Sequence, residues 1–267
     1  MFRSCDGEPR LLMRRHAFTL IELLVVISII ALLLGILFPA LMGARRAGLT
    51  MSCLSNIRQL QIASLMYSMD HKDRLIEPGL SHGGAADEEI AWINNLSSYY
   101  GESTVVVRSP VDRSPHWPLE AGGDGVPIQG TTNRFRRTSY GINNYVTSFL
   151  PVEVQPGDTP DMIASKFFNR LYKIDRPTET IQFLLMTEEG EFAGADHVHV
   201  ESWWSRHIPD ASPALASRNM AIGAHGGEKD QWSAISSYGF LDGHAKTMRF
   251  EDVYRNPEQN LFDPRLP

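Results

Sequence analysis

The sequence predicts an α+β protein in which one long N-terminal helix packs on a small antiparallel sheet with long loops. Three observations predict it. From Leu23 to Met42 there are twenty consecutive residues without a formal charge, and as a helix that run spans roughly 30 Å, the thickness of a bilayer's hydrocarbon core. Apolar residues then recur at Leu54, Ile57, Leu65 and Met69, a helical stripe that makes the second half of the helix amphipathic. Beyond residue 70 the chain changes character, with short β-rich runs between Gly/Pro-rich stretches.

The helix is expected from Phe18 to about Met69, roughly 78 Å in length. Pro39 and Gly43 should bend it without ending it, and the Glu77-Pro78-Gly79 triplet is a stop. Val105 to Val107 and Thr180 to Glu188 are β-rich or continuous apolar runs of strand length, and Ser139 to Val146 is a further strand candidate. Asp242-Gly243 lies between two apolar stretches, the pattern of a hairpin with a type I′ turn. The loops fall at 79–84, 110–130, 151–160 and 193–216.

Apolar residues make up 43% of the 267, enough to bury a core, and the net charge is -6. That balance argues against nucleic acid as a partner, and the Arg134–Arg137 stretch is too small a basic patch to reverse it. Arg3, Arg10, Arg14 and Arg15 precede Phe18 and face only Asp6 and Glu8, so a cut before Phe18 leaves the remainder at about -8. The only cysteines are Cys5 and Cys53, which excludes a disulfide framework and a Cys-rich zinc site. Cys53 reads as a small apolar helix residue.

Glu22 sits five residues into the apolar run that starts at Phe18, where an ionised carboxylate costs on the order of 3 kcal/mol. A secretory signal peptide would have a shorter apolar stretch followed by small residues at a cut site. Here the stretch is long and Arg45-Arg46 follows it. The segment from Ala17 to Leu41, FTLIELLVVISIIALLLGILFPAL after its small residue, resembles the N-terminal signature of type IV pilins and of the pseudopilins of type II secretion. The resemblance implies that a prepilin peptidase/N-methyltransferase cuts between Ala17, where the family has Gly, and Phe18, which becomes N-methylated. Glu22 is then the fifth mature residue, and Pro39 takes the family's helix-bending position.

The physics makes sense of that glutamate. Cutting exposes an ammonium at Phe18, and the Glu22 of one subunit can pair with the ammonium of its neighbour inside an apolar bundle. The carboxylate would then set the register of assembly, as polar groups in helix bundles do. The implied organisation is a leader over 1–17, a transmembrane and assembly helix over 18–70 and a globular head over 71–267. The leader arginines would hold the N-terminus in the cytoplasm. The chain would thus be a single-pass protein of the inner (cytoplasmic) membrane with its head in the periplasm, or a subunit of an extracellular filament. The resemblance also implies other pilin or pseudopilin subunits, an assembly ATPase and an inner-membrane platform as partners.

Cys53-Leu54-Ser55-Asn56-Ile57-Arg58-Gln59-Leu60, with Tyr67 and Asp70 after it, resembles a pilin-like subfamily known by a C-terminal His-spacer-Asp-Gly motif associated with prepilin processing. The candidate here is His225 with Asp242-Gly243, although sixteen residues lie between them, more than the family's spacer. The subfamily's Cys-Pro-Ser-Asp element survives only as Arg108 to Pro115, without its cysteine.

Two sets of residues have the chemistry of metal ligands. His197, His199 and Glu201 alternate, so on a strand they would share a face. Asp242, His244 and His225 form the other set. Calcium would prefer the oxygens of Asp242 and nearby carbonyls, and the resemblance to major pseudopilins, which carry calcium in a C-terminal loop, points the same way. No cofactor is otherwise expected. The sequence has no G-x-S-x-G, H-E-x-x-H, phosphate-loop or G-x-G-x-x-G pattern, and the His82-Gly83-Gly84 loop has no accompanying nucleophile. The expected function is therefore a structural subunit and not an enzyme. The rival is a membrane-tethered periplasmic domain with a metal- or ligand-binding or hydrolytic site around His197, His199 and Glu201.

Overall fold

A computed structural model describes residues 20–80, 82, 88–101, 103–150 and 152–266. The chain divides between Arg45 and Arg46 into two compact units. Helix α1, Leu20–Asp70, starts in the first and ends in the second.

In the first unit, the described residues are helical throughout and expose their large apolar side chains. Among the described residues, α1 is the one helix long and apolar enough to cross a membrane. Ser28 fits such a segment because its hydroxyl donates to the Leu24 carbonyl at 2.7 Å, which satisfies it within the helix. The helix continues through Pro39, whose ring nitrogen has no hydrogen to offer the preceding turn.

In the second unit, the end of α1 lies on one face of a five-stranded sheet. The strands are β1 (Tyr140–Asn143), β2 (Ile181–Leu185), β3 (His197–Val198), β4 (Ile235–Phe240) and β5 (Ala245–Arg249), in the order β3-β1-β2-β4-β5. The sheet is mixed, because β3 pairs parallel to β1 while the other neighbours are antiparallel. A separate antiparallel pair follows, β6 (Tyr254–Asn256) with β7 (Gln259–Asn260). Every residue of β2 is buried, as its unbroken apolar run requires of a strand covered on both faces. Phe183 and Leu185 belong to the cluster with Cys53, Ile57 and Leu60 of α1. Ile181 and Leu184 join a second cluster around Trp203, Tyr238 and Phe262. Ile181 and Phe183 would share a face in a regular strand, and the register shift between them separates them.

The helix presents a different face from the one its apolar periodicity suggests. The buried residues are Cys53, Asn56, Ile57, Leu60, Gln61, Ala63, Ser64 and Ser68. Met69 is 78% exposed, while Leu54 and Leu65 are only half-buried. The reason is close approach. A Cβ on Gly239 of β4 would lie 2.5 Å from Ile57 Cγ2 and 2.9 Å from Gln61 Nε2, so the glycine lets the sheet come close to Ile57 and Gln61, and the small residues Ala63, Ser64 and Ser68 are buried along the same stretch. A pattern that scores only large apolar residues misses such a face.

Two local expectations also change. Thr104–Val107 is one helical turn and not a strand. It has no sheet partner, and its carbonyls serve other elements: Val105 O accepts from Asn56 Nδ2 at 2.9 Å and Val107 O from Ser139 N at 2.8 Å. The β4–β5 hairpin has a three-residue loop in place of the type I′ turn. Gly243 N donates to Phe240 O and Phe240 N to His244 O, both at 2.9 Å, and only Gly243 of the loop has positive φ. Cys53 is buried and free, and burial pushes its thiol up.

Candidate functional site

The site begins at a buried carboxylate. Asp196, in the loop before β3, has no solvent exposure. Its Oδ2 accepts from Gly79 N at 3.0 Å and its Oδ1 from Leu80 N at 3.1 Å. Its backbone carbonyl accepts from Ile142 N and from Trp92 Nε1. The stretch after α1 is thereby pinned to the edge of the sheet. The next described residue along that stretch is His82, which is brought against β3.

His197 opens β3 and pairs with Ile142 of β1. The strand ends after Val198, and a 3-10 turn, Val200–Trp203, starts beyond His199. The rings of His82, His197 and His199 lie with centroids 4.8 to 5.1 Å apart, and Phe192 stacks on His82 at 4.2 Å. One ring nitrogen from each histidine lies within 4.8 Å of the other two. The Nε2 atoms of His82 and His199 are 2.9 Å apart.

Two carboxylates fix the tautomers. Asp196 Oδ1 is 3.1 Å from His197 Nδ1, and Glu201 Oε1 is 3.0 Å from His199 Nδ1. A carboxylate only accepts, so each Nδ1 carries a hydrogen, which leaves Nε2 as the nitrogen through which each ring would bind a metal. Burial pushes Glu201 up, but its bonds from His199 and from Asn144 Nδ2 outweigh that and leave it below the usual range. Burial, with His197 and His199 nearby, holds His82 down at about 4, so its ring is neutral at neutral pH. Three imidazoles converging on one point can hold a cation through nitrogen.

The structure thus joins His197 and His199 as their spacing suggests, but Glu201 stands behind His199 and not beside it as a third ligand. The strand that would have put all three on one face ends too early. The third ring is His82, which local spacing gives no means of finding.

The second set is not brought together. His225 and the Asp242-His244 turn lie at opposite ends of β4: Gly226 bridges to Ile235 and the turn follows Phe240, a span of roughly 17 Å. Asp242 Oδ1 accepts from His244 N and Nδ1 at 3.1 and 2.6 Å, and His244 stacks flat on Phe240. His225 Nδ1 meets Thr50 Oγ1 at 3.1 Å, while a Cβ on Gly243 would lie 3.3 Å from Leu65 Cδ1. The two halves of the His-spacer-Asp-Gly pattern therefore meet α1 at two levels, about 22 Å apart along it.

Glu22 lies in the first described turn of α1 and Pro39 within it. Ala17 and Phe18 lie outside the described residues.

Residues 12–38 match the family model of the prokaryotic N-terminal methylation motif. Comparison with curated proteins and with solved structures gave no match. The motif, continued by the apolar helix, supports a type IV pilin- or pseudopilin-like protein and suggests a single-pass membrane anchor.

Proposed function

We propose that this chain is a structural pilin- or pseudopilin-like subunit and not an enzyme, cut between Ala17 and Phe18, N-methylated on Phe18 and assembled through α1. The observation that carries this reading is the methylation motif at 12–38, which runs into an uninterrupted helix with apolar side chains facing outward. An outward apolar surface of that length needs lipid or neighbouring copies of the same helix to cover it.

The partners are those that the resemblance to pilins and pseudopilins implies. A prepilin peptidase/N-methyltransferase makes the mature N-terminus. Moving a lipid-facing helix from the bilayer into a filament then requires an assembly ATPase, an inner-membrane platform and other pilin or pseudopilin subunits. The arginines that precede the helix support a head in the periplasm or on an extracellular filament. Mass spectrometry of the protein from its native membrane should find a mature N-terminus at methyl-Phe18. A chain that keeps the residues before Phe18 would overturn the reading.

A further inference from the structure

We propose that His82, His197 and His199 bind one divalent first-row transition metal, zinc being the best fit, with the fourth position left to water or a small anion. The inference is independent of filament assembly, since all three ligands lie in the second unit.

Three features carry it. The first is convergence: one nitrogen from each ring lies within 4.8 Å of the others, and two Nε2 atoms are already 2.9 Å apart. A tetrahedral zinc with Zn–N bonds of about 2.0–2.1 Å sets its nitrogens roughly 3.4 Å apart, so the rings need shifts of only about 1 Å. The second is the outer ring of carboxylates. Asp196 bonds Nδ1 of His197 and Glu201 bonds Nδ1 of His199, the arrangement that orients imidazole ligands and raises their basicity. Asp196 is wholly buried and built in by two backbone N–H groups. The third is the donor type. Nitrogen donors suit zinc, copper, nickel or iron, whereas calcium and magnesium need oxygen.

Three protein ligands with an open fourth place characterise exchangeable sites, not closed structural ones. His82 and His199 also line a cleft of about 1290 Å³, together with Phe192, Glu189, Asn219 and Lys229. A ligand in that cleft can reach the metal.

The test uses the full-length protein in detergent, purified without an oligohistidine tag and stripped with a chelator. Zinc is titrated against a chromophoric competitor. The wild type should take up one Zn²⁺ per chain, His82→Ala and His199→Ala should each weaken binding by about 100-fold or more, and Glu201→Gln by about 10–100-fold. His207→Ala, at an exposed histidine outside the cluster, should bind as the wild type does. Sub-stoichiometric uptake by the wild type, or undiminished uptake by both ligand variants, overturns the site. If those variants lose their circular-dichroism signal, Co²⁺ in the wild type decides. An intense visible spectrum of four-coordinate cobalt supports the site, and the weak spectrum of aqueous cobalt overturns it.

Discussion

The Nε2 atoms of His82 and His199 stand 2.9 Å apart although 117 residues separate them in the chain. Asp196 explains how. One carboxylate holds the backbone at Gly79 and Leu80, close before His82, and also the ring of His197. Removing that side chain leaves buried N–H groups unpaired, each at about 1–3 kcal/mol. Asp196→Ala should therefore lose about 3 kcal/mol of stability, read as a lower urea midpoint, and should loosen His82 from its partners. A midpoint equal to the wild type's would show that the loop is held by something else.

How much of this could be read from the sequence depends on the distance over which each signal acts. The long helix, its end near residue 70 and the hairpin around Asp242-Gly243 are written locally, in charge-free length, periodicity and turn chemistry. The parallel pairing of β3 with β1 is not, because two residues, His197 and Val198, carry no strand period. His82 is equally silent: a lone histidine in a glycine-rich loop acquires meaning only when Asp196 folds it onto β3. Thr104–Val107 shows the opposite error, where a β-branched run suggested a strand but tertiary bonds to Asn56 and Ser139 claim its carbonyls. The buried face of α1 was hidden by its own small residues.

That face gives a second prediction. Gly239 is where β4 comes closest to α1, and a methyl group there meets Ile57 and Gln61 at less than 3.0 Å. Overpacking of this kind costs about 1–3 kcal/mol. Gly239→Ala should lower the urea midpoint accordingly, and Ile57→Leu in the same chain should recover part of the loss, because leucine is unbranched at Cβ and lacks the Cγ2 methyl nearest the new Cβ. If the double variant is no more stable than Gly239→Ala alone, contact with Ile57 is not the cause.

A third prediction concerns acid. Burial pushes the Glu77 carboxyl up, more than its bonds from Ser148 N and Asn169 Nδ2 and the charge of Arg74 pull it down. An acid whose folded value is raised binds its proton more tightly in the folded state, so its contribution to stability is full below about 4.5, the ordinary value, and is lost as pH rises through the folded value. Glu77→Gln keeps an acceptor oxygen and cannot ionise. Relative to the wild type, the variant should gain stability as pH rises from about 4, seen as a widening gap in melting temperature. A gap that stays constant with pH would mean that Glu77 titrates normally.

The fourth prediction returns to Glu22, in the first described turn of an outward-facing apolar helix. An ionised carboxylate in hydrocarbon is penalised, and insertion should not suffer when it is removed. Assembly is different, because the ammonium at a cut Phe18 would then enter the filament core without an opposite charge, at a cost of about 3–5 kcal/mol. Glu22→Ala should therefore reach the membrane and be cut normally, while its incorporation into filaments falls by about 100-fold to several thousand-fold, measured by shearing and immunoblotting. Wild-type incorporation would mean that the acid has no part in setting the register. Failure to be cut would place its role earlier, at recognition by the peptidase.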